Sequence, residues 1–409
     1  MARGGVVAAA LATAQGDEPT GEASEAVEGG VGVAWDDDGS IAYVGAADGL
    51  PWEPTLGAHD RGCLVPGFVD QHTHLPFVGW RADEFEARLR GLSYRELHGG
   101  DGGIFRSARM FAEATDDEVM TFSHALLDEM LAHGTTALEL KTGYGLSVDQ
   151  ELRAAGLARR LAEEASQTCT VTLLAAHAVP QEMDRAGWVR VASDELIPEA
   201  ARRGLADAVD VYVEDFAFSL DDLEAIAGSA HAAGLALRVH ADQLGDSGAA
   251  AAAARLGARS ADHLNHCSPA SVAALSAGDT VAGLLPASTF FLRGTPAPAR
   301  ALREAGVPIA LATDANPGTS PVVSMPEVIA MAAAVYEVPP LDALTAATLT
   351  PAWVLGLSGT LGTLEAGKRA DLVLLEHRSF AQVPYRPGHD PVVATIVAGE
   401  VVRDRGRTG

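Results

Sequence analysis

Val65-Pro66-Gly67-Phe68-Val69-Asp70-Gln71-His72-Thr73-His74 runs from an apolar strand into a His-X-His ending. Alternate residues of a strand share one face, so His72 and His74 point the same way and can grip one metal ion. A histidine pair alone is a weak signal, but two further apolar runs end alike: Leu237-Arg238-Val239-His240 and Ile309-Ala310-Leu311-Ala312-Thr313-Asp314. Each places a metal-ligating side chain at the carboxyl end of a short strand.

Outward from these runs, short apolar strands alternate with Ala- and Leu-rich helical stretches, the mark of parallel βα units. Eight strands are predicted, at 67–72, 136–141, 171–177, 209–214, 236–240, 260–263, 281–285 and 308–313. The expected fold class is α/β, with these strands and their helices closing into a (β/α)8, TIM-like barrel. Helix punctuation agrees: Thr115-Asp116-Asp117-Glu118 and Ser219-Leu220-Asp221-Asp222 start helices that Gly134 and Gly234 stop. The alanines of 248–254 favour helix as well.

Alternating segments 31–35 and 41–45 read as β-hairpins, and 370–375 and 394–402 read as strands, the latter turning at Ala398-Gly399. The simplest topology joins both ends of the chain into one small β-sandwich beside the barrel. Residues 1–64 and 359–409 then form the composite β-domain, and 65–358 form the barrel.

The chain has 409 residues, 48% of them hydrophobic, enough for a large core, and carries a formal net charge of -26. That charge argues against a nucleic-acid partner, since phosphates would be repelled over most of the surface. It leaves room for a small anionic substrate, because one arginine in a pocket reverses the field locally. No long uncharged apolar stretch and no signal-peptide pattern is visible, so no membrane span and a cytoplasmic location are expected. Cys63, Cys169 and Cys267 are odd in number and far apart, which argues for three reduced thiols.

Five histidines, His72, His74, His177, His240 and His263, fall with Asp314 at predicted strand ends, where such barrels carry their catalytic residues. The other eight fall in loops or helices and are given no role. His72, His74, His240 and Asp314 suit one Zn2+ or Fe2+/Fe3+ ion per chain with a position left for water, whose pKa such an ion lowers to about 7. Asp314 can both touch the ion and accept the water's proton.

The strand-end pattern is similar to that of the amidohydrolase superfamily. Binuclear members carry a bridging lysine at the end of strand four, where this chain has Val213-Glu214-Asp215; Lys141 ends strand two, so a single ion is expected. Within the superfamily the chain resembles the imidazolonepropionase family. The matching segments are His72-Thr73-His74-Leu75-Pro76-Phe77 with 79–85, Glu139-Leu140-Lys141-Thr142-Gly143-Tyr144-Gly145-Leu146, Ala176-His177-Ala178-Val179-Pro180, His240-Ala241-Asp242-Gln243-Leu244, Ser260-Ala261-Asp262-His263-Leu264 and 312–321.

The resemblance implies hydrolysis of 4-imidazolone-5-propanoate to N-formimino-L-glutamate. It implies a propanoate clamp in Arg81, a cover over the ring in Tyr144 and stabilisation of the carbonyl oxygen by His177. His263 would orient Asp314 or the water, and Asn316, Gly318 and Thr319 would offer donors to the carboxylate formed. Gln243 stands where related deaminases carry a glutamate; it can contact substrate but cannot shuttle a proton, which leaves proton transfer to Asp314 with His263. Asp242 is expected to be structural, and 99–103 to be a loop near the mouth. The resemblance also suggests a homodimer. The competing readings are a mononuclear deaminase or other cyclic amidohydrolase, and an inactive scaffold protein.

Overall fold

The computed structural model describes residues 3–26, 30–56, 59–92 and 102–405. All eight predicted barrel strands are present: β1 (Phe68–Asp70), β2 (Thr135–Lys141), β3 (Thr168–Ala176), β4 (Ala208–Val213), β5 (Ala236–Ala241), β6 (Ser260–His263), β7 (Val281–Leu284) and β8 (Ile309–Leu311). They pair in sequence order, each parallel to the next.

β1 and β8 are the shortest, and both stop before their functional residues. The barrel closes between them at its carboxyl mouth, where Asp314 N–H donates to His72 O at 3.0 Å and His74 N–H to Ala315 O at 2.9 Å. Asp70 adds a side-chain clasp, accepting from Thr313 N at 3.1 Å and Thr313 Oγ1 at 2.5 Å. Burial pushes the Asp70 carboxyl up to about 7, against the lowering effect of these bonds.

The helices begin where the caps predict. Thr115 Oγ1 accepts from Glu118 N at 3.3 Å while Glu118 Oε2 accepts from Thr115 N at 2.8 Å, and Ser219 and Asp222 repeat the arrangement. Leu126, Leu127 and Met130 of the helix Asp116–Ala132 and Leu157 and Leu161 of the helix Val148–Glu164 pack on Leu138, Leu140 and Val171 of β2 and β3. Of the segment 99–103, residues 99–101 lie outside the described residues, and Gly102 caps the helix Gly103–Glu113.

The two ends of the chain meet in a second eight-stranded sheet. Its path runs Glu400–Asp404, Val392–Val397, Leu372–Leu375, His59–Pro66, Gly4–Thr13, Val31–Trp35, Ile41–Ala46, with Ser24–Ala26 paired to Gly4–Thr13. Strand alternation divides its side chains. Leu64, Leu372 and Leu374 join a core with Val6, Val33 and Trp35, whereas Cys63, Val65, Val373 and Leu375 face the barrel's core. The last hairpin turns at Ala398 and Gly399, both at positive φ (49° and 80°), as a two-residue hairpin turn requires. Among the described residues no helix is long and apolar enough to cross a membrane.

Candidate active site and metal centre

The four predicted metal ligands converge at the barrel mouth. His240 Nε2 lies 3.1 Å from His72 Nε2 and 3.4 Å from His74 Nε2, and Asp314 Oδ1 lies 3.2 Å from His74 Nε2 and 3.6 Å from His72 Nε2. All four side chains are buried. His240 lies on β5, whereas His72 and His74 follow the end of β1 and Asp314, at a φ of 54°, follows β8, held by the bonds that close the barrel there.

The outer nitrogens fix the tautomers. His72 Nδ1 is 2.8 Å from Asp262 Oδ2, and His240 Nδ1 is 3.1 Å from Asp210 Oδ1. A carboxylate only accepts, so each Nδ1 carries the proton and each Nε2 turns a lone pair inward. Two lone pairs facing at 3.1 Å repel unless a cation lies between them. Burial, then the charge of Lys141 and the neighbouring imidazoles, holds His72 far below the usual histidine pKa; burial and His240 do the same to His74. Neutral imidazoles with converging lone pairs and a buried carboxylate fit a divalent metal ion, and zinc and iron both accept these donors.

The remaining candidates line a cleft of about 380 Å3 of empty space above the ligands, with Arg81, Tyr144, His177, Gln243, His263, Asn316 and Thr319 in its wall. Arg81 is 4% exposed, and its Nη1 has no hydrogen-bond partner among the described residues. Glu84 Oε2 stands 3.6 Å from its Nε. Gly318 does not open onto the cleft. It packs on the Arg81 guanidinium so closely that a Cβ would fall 1.5 Å from Nη2.

The turn after β8, whose groups are expected to offer donors to a ligand, is also tied together internally. Asn316 Oδ1 already accepts from Gly318 N at 2.9 Å, Thr319 N at 2.8 Å and Thr319 Oγ1 at 3.0 Å, and Asn316 Nδ2 donates to Asp314 O at 2.6 Å. One Asn316 N–H and the Gly318 and Thr319 donors thus hold the turn, which in turn shapes the seat of Arg81.

Across the cleft, His177 Nδ1 lies 2.9 Å from Gly143 O, and its ring stacks on His74 with centroids 5.3 Å apart. Tyr144 is buried beside both histidine rings, 5.3 Å from His177 and 6.1 Å from His74. The turn that carries it is pinned by buried Glu151, which accepts from Gly143 N at 3.1 Å, Gly145 N at 2.6 Å and Leu146 N at 3.1 Å. Gly143 is required there: its φ is 119°, and a Cβ would meet His177 Nδ1 at 2.7 Å.

His263, at a φ of 79°, turns into the cleft, and burial brings its pKa down to about 3. Burial raises the Asp314 carboxyl. Asp242 accepts from Ser247 and from the amides of Ala249 and Ala250, as a structural residue does. Gln243 follows it into the cleft while Glu214 holds the next amide, Leu244 N, at 2.7 Å.

Several contributors escaped the sequence reading. Ile104 and Tyr212 also line the cleft, and Asp210, Asp262 and Glu151 hold the ligands and the turn. Charged residues inside apolar strands, such as Asp210 within Val209-Asp210-Val211-Tyr212-Val213, were the available signal. One further histidine and carboxylate group, Glu376, His377 and His389, lies on the terminal sheet, where Arg405 and Arg386 already pair with Glu376.

Residues 63–402 match the amidohydrolase family. The chain is 43% identical over 366 residues to an imidazolonepropionase of Caulobacter vibrioides (strain NA1000 / CB15N), covering 88% of this chain and 91% of that one. It is 40% identical over 387 residues to an imidazolonepropionase of Xanthomonas oryzae pv. oryzae (strain PXO99A), covering 92% and 96%. A solved adenosine deaminase from Xanthomonas campestris with bound zinc superposes with a TM-score of 0.71 at 20% identity, over 98% of this chain and 92% of that one, which shows a common fold. The chain belongs to the amidohydrolase family and, within it, to the family of the imidazolonepropionases.

Proposed function

We propose that the chain hydrolyses the ring amide of 4-imidazolone-5-propanoate to N-formimino-L-glutamate. The observation that carries this reading is the buried Arg81 guanidinium, with Nη1 unpartnered among the described residues, in the same cleft as the converging His72, His74, His240 and Asp314. Glu84 faces only Nε, at 3.6 Å; a buried guanidinium N–H left without an acceptor is costly, and a planar guanidinium matches a carboxylate two bonds at a time. The propanoate is the group that would fill it.

A zinc or iron ion held by His72, His74, His240 and Asp314 would supply Lewis-acid activation of water and of the ring carbonyl. The protein's own groups do the rest. Arg81 anchors the propanoate, and the Tyr144 ring covers the imidazolone. Asp314, its basicity raised by burial, takes one proton from the attacking water. The water oxygen bonds to the ring carbonyl carbon, the C–N bond breaks, and the proton passes to the departing amidine nitrogen from Asp314, with His263 beside it.

His177 Nδ1–H is committed to Gly143 O, so the ring donates to the carbonyl oxygen from Nε2 only as the imidazolium. Gln243 contributes a hydrogen bond and no proton transfer.

The test is turnover of freshly generated 4-imidazolone-5-propanoate by purified protein, followed by loss of ultraviolet absorbance and appearance of formiminoglutamate. Ammonia release from a panel of nucleobases, with no loss of the imidazolone, would favour a deaminase instead.

A further inference from the structure

A layer of charged side chains lies beneath the ligands. Lys141, at the end of β2, is fully buried, and its ammonium touches Asp210 Oδ2 and, at 3.1 Å, Glu139 Oε2. The other oxygen of Asp210 accepts the Nδ1–H of His240. Asp262 backs His72 in the same way, but its second oxygen is held by a neutral amide, Gln71 Nε2, at 3.2 Å. His74 Nδ1 has no hydrogen-bond partner among the described residues. Of the three imidazoles, only His240 is tied through a carboxylate to a buried cation.

We propose that Lys141 is a positioning residue for the metal: by pinning Asp210 it keeps His240 in the Nδ1–H form with Nε2 turned toward the ion. The proposal rests on the reading of His240 as a metal ligand. Glu139 also faces the lysine, 3.1 Å from Oε2 and 3.3 Å from Oε1, but Arg238 Nη1 pairs with its Oε1 as well, so Glu139 keeps a cation without Lys141. Among the described residues Asp210 has no comparable second cation; its contacts are Lys141 on one oxygen and His240 on the other. Taking away one member of such a buried pair leaves a charge that the site can relieve only at the expense of the remaining bond, here the one that orients His240.

The experiment is a double-mutant cycle read as Zn2+ affinity, by competition with a chromophoric chelator on the full chain. Wild type, K141M, D210N and K141M/D210N are compared, with circular dichroism and thermal unfolding of each metal-free form. K141M is expected to stay folded and to weaken Zn2+ by about 10–100-fold. Adding D210N removes the charge that lost its partner, so the double variant should bind no worse than D210N alone, far short of the product of the two single losses. If K141M does not fold, K141Q, which keeps an N–H donor without the charge, takes its place in the cycle.

An affinity within about twofold of wild type, or single losses that simply multiply in the double variant, would overturn the proposal. Wild-type protein that takes up no Zn2+ would overturn the ligand assignment beneath it.

Discussion

Gly318→Ala probes how Arg81 is held. An ideal Cβ at 318 lies 1.5 Å from Arg81 Nη2, 2.4 Å from Cζ and 2.9 Å from Nε. Comfortable non-bonded contact needs about 3.5 Å, so the guanidinium must retreat by roughly 2 Å. Residue 318 is not in the left-handed region, so alanine strains side chains rather than backbone.

A 2 Å retreat parts a bidentate carboxylate pair. Hydrogen bonds to charged groups are worth about 1.5–3 kcal/mol each, and two bonds partly re-formed leave a loss of about 3–4 kcal/mol. At about 1.4 kcal/mol per tenfold, kcat/KM should fall by about 100- to 1000-fold. The propanoate is remote from the bond that breaks and is held alike in ground and transition states, so the loss should appear mainly in KM. Steady-state kinetics on G318A, R81M and the double variant, with melting temperatures for each, make the assay. G318A added to R81M should cost little more. A folded G318A protein with unchanged KM, or losses that multiply in the double variant, would refute the reasoning.

Two other perturbations follow from the same coordinates. Asp262→Ala removes the acceptor at 2.8 Å from His72 Nδ1 and should weaken metal binding by about 10–100-fold, measured by chelator competition; unchanged affinity would mean that His72 needs no fixed tautomer. Asp390 is held down to about 2: burial opposes this, but bonds from His133 and Val392 N and the charge of Arg403 outweigh it. Its folded pKa is depressed, so its stabilisation is present above pH of about 4 and lost as pH falls toward about 2. Because Asp390 is partly exposed, roughly 1–2 kcal/mol is at stake. Urea unfolding should show D390N less stable than wild type at pH 6, with the gap narrowing at pH 3; a gap independent of pH would contradict the assignment.

The barrel was legible because parallel strands buried on both faces leave short apolar runs, and most of those runs, though not the seventh, which stops at Leu285, ended at or beside a residue with chemistry. β1 shows where that legibility stops. The prediction carried the strand to residue 72, but regular pairing ends at Asp70, and His72-Thr73-His74 instead bonds across the closure to Ala315. Alternation also predicts that Asp262 and His263 face opposite ways. Both work inside the barrel, Asp262 on His72 and His263 in the cleft, because His263, the last residue of β6, breaks the alternation with a φ of 79°.

Contacts between distant segments leave no local mark. Gly318 on Arg81, and Lys141 on Asp210, join residues whose spacing in the chain carries no period. The donor role of Asn316 and Thr319 is implied by the family resemblance; that these groups also bond one another shows only in the folded turn.

The most direct test measures bound metal and turnover on one sample. Chelated protein is titrated with Zn2+ or Fe2+ while 4-imidazolone-5-propanoate is consumed. Activity should rise with metal and saturate at about one ion per chain, and His240→Ala should lose both together. Full turnover by metal-free protein, or no turnover by protein holding its ion, would contradict the account.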